Sequence, residues 1–207
     1  MRSTVRRYCT AGMIAAVLLT GPTACTGHSD ERSADKAAAC TDGTYAWSGV
    51  RRTQKLTAMS APIMFEKRTA SYSAKLEPVG ARVFRPSVTG APRGVGEAGV
   101  ITALGTHLDV EEPLAGPSEK EVPEKDHYFE VATGDLKGAY YAWGYVRLVE
   151  ADFTHTCGSG EGAKGRVQTW EGTGSGFLPC SERSDDIAGR IAAQRTCPAG
   201  SRAAEDA

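Results

Sequence analysis

"YYAWGYVRLVEADFTHTC" occupies residues 140–157, and its side chains alternate in character with a period of two. In an extended strand, successive side chains point to opposite faces of the sheet. One face here carries Tyr141, Trp143, Tyr145, Arg147, Val149, Ala151, Phe153 and Cys157, and the other carries Glu150, Asp152, Thr154 and Thr156. An exposed row of aromatics is a stacking platform for a sugar ring, whereas a buried row is core. Because the aromatic row continues into Val149, Ala151 and Phe153, parity places it on the inner face, unless a bulge at Gly144 switches sides.

The same motif opens the domain as "TYAWSGVR", residues 44–51: Tyr45, Ala46, Trp47, Val50 and Arg51 match Tyr141, Ala142, Trp143, Val146 and Arg147. The flanks do not align, and too little chain follows Tyr141 for a second unit, so a duplication is excluded. On a regular strand the first aromatic face continues as Thr53 and Lys55. If the two strands pair antiparallel with Tyr45 opposite Arg147, then Arg51 falls opposite Tyr141 and each arginine covers the other strand's tyrosine. Within one strand the Trp and Arg stand about 13 Å apart, so such a cation–π contact has to cross the ladder.

Residues 45–177 are rich in Val, Thr, Tyr and Trp and punctuated by Gly and Pro, which predicts short strands joined by turns. The pattern places strands at 45–59, 62–65, 70–76, 81–84, 99–104, 107–110, 128–132, 139–156 and 166–170. Such spacing predicts a mainly β fold, an antiparallel sandwich or barrel. "RPSVTGAPRGVGEAG" (85–99) and "EEPLAGPSEKEVPEKD" (111–126) read as exposed loops able to present a binding surface. One C-terminal α-helix follows, with Ser184 as its cap, Asp185 and Asp186 at its positive end, and Ile187, Ala188, Ile191 and Ala192 at helical spacing. Its isoleucine stripe is expected on the sheet, and residues 198–207 are expected to form a disordered tail.

The first 24 residues have a different character. Arg2, Arg6 and Arg7 precede the apolar run AGMIAAVLLT at 11–20, which is too short to span a bilayer and reads as the hydrophobic stretch of a signal peptide. "LLTGPTAC" then puts Cys25 directly after small Ala24, and the segment resembles the signal peptide of bacterial lipoproteins. In such precursors this cysteine is diacylated and becomes the mature N-terminus. The resemblance implies lipidation of Cys25 and a membrane partner through that lipid on the extracytoplasmic face; without the lipid, the domain would be secreted. Residues 25–39 contain nothing large and apolar after the cysteine, and read as a flexible tether to a single domain over 40–197. Removing the three leader arginines leaves 21 basic against 25 acidic residues, a net charge near −4, which argues against nucleic acid as a partner.

Four cysteines, Cys40, Cys157, Cys180 and Cys197, remain in the domain and read as two disulfides. Three pairings are open. Pinning the termini favours Cys157 with Cys180 and Cys40 with Cys197.

Motifs that name a chemistry are scarce in the domain. "CGSGEGAKG" and "GTGSG" contain neither a G-x-S-x-G nucleophile motif nor a phosphate loop and read as turns. His107, Asp109, His127 and His155 are the residue types of a metal site, but their spacing supplies no ligand cluster. No cofactor is expected. The reading that follows is an exported, non-catalytic binding or interaction module with an unknown protein or cell-wall ligand. The alternatives are an envelope hydrolase or metal-dependent enzyme built on those histidines, and a glycan-binding domain using Trp47 and Trp143.

Overall fold

A 30-residue strand, β4 (His127–Thr156), organises the domain. The computed structural model describes residues 40, 42–81, 83–120 and 127–205, which belong to the unit Ala38–Ala207. The expected leader (1–24), Cys25, the tether (25–39) and residues 121–126 of the second loop lie outside the described residues.

β1 (Thr44–Ser60) runs antiparallel along the C-terminal half of β4, from Tyr45 opposite His155 to Met59 opposite Trp143. β2 (Ile63–Pro78) continues along the N-terminal half, from Ile63 opposite Tyr140 to Leu76 opposite His127. Ser60 also pairs with Leu76, so β1, β2 and β4 each pair with the other two and the sheet curls on itself. Gly134 and Gly138 take positive φ where the β2–β4 register slips, giving β4 the bends this curl requires. β5 (Ala163–Pro179) covers the other edge of β4, and the short β3 (Ser87–Thr89) pairs with β5.

The fold class is as expected: mainly antiparallel β, a C-terminal helix and two disulfides. Several elements differ. Residues expected as a strand at 99–104 form part of α1 (Gly96–His107), whose Val100, Ile101 and Leu104 bury against Val149, Ala151 and Phe153 of β4, and the strand expected at 107–110 is the end of that helix and the turn after it. Local β propensity lost to helical spacing that matched a waiting apolar face. The strand expected at 81–84 reduces to a single bridge at Phe84. "GTGSG" is part of β5 rather than a turn: Gly174 and Gly176 lie opposite Tyr145 and Trp143, whose rings fill the space a Cβ would need.

α2 (Ile187–Thr196) is the expected helix, turned differently. It buries Ala188, Gly189, Ala192 and Ala193, while Ile187 stays 49% exposed. Small residues bring the helix backbone close to Tyr141 and Trp143, and the bulk of the contact comes from the aromatics. Ser184 accepts a hydrogen bond from the Asp186 N–H (3.1 Å), but Gln54 of β1 reaches the helix itself: its Oε1 accepts from Ala188 N (3.4 Å), and its Nε2 donates to Asp186 Oδ1 (2.8 Å). The tail is not wholly disordered either, because Arg202–Glu205 form a turn of helix, α3, with Ala203 buried and its N–H donating to Cys180 O at 3.1 Å.

The disulfides join Cys40 to Cys157 and Cys180 to Cys197, not the favoured pairing. The antiparallel register explains this. Thr44 lies opposite Thr156, which brings Cys40 and Cys157 together, while β5 carries Cys180 to the middle of β4, where its N–H bonds Ala139 O at 2.8 Å.

Candidate functional site

The odd-numbered face of β4 carries two roofs with a gap between them. α2 covers Tyr141 and Trp143, α1 covers Val149, Ala151 and Phe153, and Arg147 lies between. Parity read this face correctly: Tyr141 is fully buried and Trp143 is 2% exposed, so Trp143 is core and not a platform for a sugar. The two rings stack at 5.2 Å. Burial, with a contribution from the charge of Glu182, pushes the Tyr141 phenol up to about 12.

At the other pole, Tyr45 and Trp47 also stack at 5.2 Å but are only half-buried. His107, at the end of α1, stacks on Trp47 at 6.0 Å, and His155 lies 4.5 Å from the Tyr45 ring. Burial raises the Tyr45 pKa. The four candidate metal residues do not converge. His107 and His155 have the Tyr45–Trp47 pair between them, exposed Asp109 follows α1 with φ 51°, and His127 starts β4 at the end opposite His155. Among the described residues, the group with metal-binding donor atoms in reach of one another is Cys40, His155 and Cys157, and both its sulfurs are held in the disulfide.

The arginine pairing also differs from expectation. Gly49 takes φ 59° and creates a bulge between Ser48 and Arg51, so Arg51 emerges on the face opposite Trp47. It sits opposite Glu150 and forms an ion pair at 2.9 Å, while Tyr45 faces His155 and Arg147 faces Gln54. Neither arginine covers the other strand's tyrosine.

The gap over Arg147 is a cleft of about 320 Å³ lined by Arg52, Thr53, Gln54, Arg147, Glu171, Asp185 and Ile187. Arg52 Nε binds Glu171 Oε1 at 2.5 Å, and Gln54 is engaged by the start of α2. Exposed Arg147 has no hydrogen-bond or ion-pair partner among the described residues. An unpaired guanidinium presents a planar fork of donors suited to a carboxylate or phosphate. Ile187 adds an exposed apolar edge beside it. No histidine, cysteine or serine lines the cleft. Sequence reasoning singled out Arg147 for the wrong contact and missed Arg52, Glu171, Asp185 and Ile187. The available signal was Arg147 itself, a charge interrupting an otherwise apolar face. A second concavity of about 460 Å³ lies beside the Cys180–Cys197 disulfide, between Lys137, Pro179, Pro198 and Ser201.

No family model, curated protein or solved structure matches this chain.

Proposed function

We propose that this chain is a lipid-anchored, extracytoplasmic, non-catalytic binding module that holds a carboxylate-bearing peptide or wall fragment in the cleft over Arg147. The observation that carries this reading is Arg147, without a hydrogen-bond or ion-pair partner among the described residues, in a cleft with an apolar edge at Ile187 of α2. Both disulfides support an oxidising compartment, where cross-links of this kind persist. The signal-peptide resemblance and Cys25 support anchoring at the outer face of the cytoplasmic membrane.

The test uses short peptides with free or amidated C-termini, followed by NMR shift mapping on the isotopically labelled domain. Free-acid peptides should perturb Arg147, Gln54 and Ile187, and their amides should not. Arg147→Gln should weaken binding at least about tenfold, as expected for loss of a charge-assisted pair. Equal binding of acids and amides rules the reading out. Mass spectrometry of the mature N-terminus checks the anchor separately.

A further inference from the structure

The two disulfides occupy different surroundings. Cys180 and Cys197 are 3% and 9% exposed, sealed in the apolar cluster beneath α2. Cys40 and Cys157 are both half-exposed, and the second has a buried imidazole at its side. His155 is 2% exposed, its Nδ1 lies 3.7 Å from Cys157 Sγ, and its Nε2 has no hydrogen-bond partner among the described residues. The ring is held between Tyr45 and the backbone of Gly43, where a Cβ would collide with it. A buried ring nitrogen without a hydrogen bond is costly, and a structural cross-link has no need of it.

We propose that Cys40–Cys157 is an exchangeable disulfide, a thiol–disulfide exchange site for an extracytoplasmic dithiol protein, with His155 moving the proton of the Cys157 thiol. An incoming thiolate attacks Cys40 Sγ and a new S–S bond forms there. The Cys40–Cys157 bond breaks, and its electron pair leaves on Cys157 Sγ, which takes a proton from His155 Nδ1. The second thiol of the dithiol then attacks the mixed disulfide, leaving both domain cysteines reduced and the dithiol oxidised to its own disulfide. In the reverse direction, neutral His155 accepts the Cys157 proton and generates the thiolate that recloses the bond. Opening unlinks Cys40 from Cys157 at the end of β4. One backbone bond, Cys40 N–H to Arg93 O at 3.2 Å, then holds that residue, while the ladder from Thr44 opposite Thr156 onward stays formed.

The experiment treats the mature protein with a small CxxC dithiol protein, alkylates free thiols at intervals and maps the labelled peptides. Cys40 and Cys157 should label at least about tenfold faster than Cys180 and Cys197, and a CxxS form of the reagent should become trapped on Cys40. His155→Ala should slow both opening and reclosure by about tenfold. Added imidazole should restore those rates without restoring the unfolding midpoint, a response that a purely structural histidine would not give. Should His155→Ala fail to fold, as judged by far-UV circular dichroism, His155→Gln provides the same rate comparison. Simultaneous opening of both disulfides, trapping on Cys157 rather than Cys40, or unchanged rates in the His155 variants would each overturn the proposal.

Discussion

Tyr45–Trp47 and Tyr141–Trp143 are the same three-residue unit, stacked at the same 5.2 Å, yet one is half-buried and the other belongs to the core. The difference lies in the neighbours. Over residues 44–56, β1 has a partner on one edge among the described residues, whereas β4 at 141–143 has β5 on one side and the end of β1 or the start of β2 close by on the other, with α2 above. Burial is thus a property of position in the sheet, and identical local sequence does not decide it. The edge copy also shows how an edge is managed: the bulge at Gly49 and the charges of Arg51, Arg52 and Lys55 make it a poor template for a further strand.

The cross-links give the sharpest way to break this comparison. Cys40–Cys157 closes a separation of 117 residues in the unfolded chain and Cys180–Cys197 one of 17, although the second is the buried one. On chain entropy, replacing Cys40 and Cys157 by Ala should lower stability by about 5 kcal/mol, and replacing Cys180 and Cys197 by about 3 kcal/mol. Urea unfolding measures both. A larger loss at the buried pair would mean that packing, not loop closure, dominates there.

Truncating the aromatics comes next. Trp143→Ala empties space enclosed by α2, Gly176 and Gly189 and should cost about 4 kcal/mol, while Trp47→Ala, at the half-buried edge, should cost about 2 kcal/mol. Equal losses would show that the edge cluster is as tightly determined as the core.

Alkaline titration compares the two tyrosines. A phenol whose pKa is raised in the folded state adds stability that is complete below its unfolded value near 10 and disappears as pH climbs through the folded value. For Tyr141 that window runs from about 10 to about 12. Thermal melts should therefore fall across this range, and Tyr141→Phe should flatten the decline more than Tyr45→Phe.

Backbone and surface changes should have the smallest effects. Gly49→Ala forces a side chain into left-handed backbone and should cost about 1 kcal/mol by urea unfolding. Arg51→Ala removes an exposed ion pair and should change stability by no more than about 0.5 kcal/mol. A large Arg51 effect would mean that Glu150, which Arg166 also approaches at 3.5 Å, depends on the pair as part of a network.

The C-terminal part of β4 was legible because period-two alternation reports which face is buried where only one face is: Val149, Ala151 and Phe153 are buried and Asp152 is exposed, whereas from Tyr141 to Leu148 both faces are covered, with Ala142, Val146 and Leu148 buried as well and Arg147 exposed. α1 was not legible, because Val100, Ile101 and Thr102 favour strands locally, and the partner that selects a helix, the Val149–Phe153 face, lies about fifty residues away. The α2 stripe was misread for a related reason. Hydrophobicity alone ranks Ile187 above Ala188, but the space left by Trp143 admits the smaller side chain. The candidate cleft was legible only as one charge out of pattern, since its walls come from β1, β5 and the approach to α2.

By itself the sequence determined the β class, the parity of the central strand and the commitment of four cysteines to cross-links, because each follows from local residue chemistry. The tertiary structure decided the bulge that parts Arg51 from Trp47, the pairing of the cysteines, the face α2 presents and the absence of a partner for Arg147 among the described residues. Each of these depends on strand register, which is set by contacts between residues far apart in the chain.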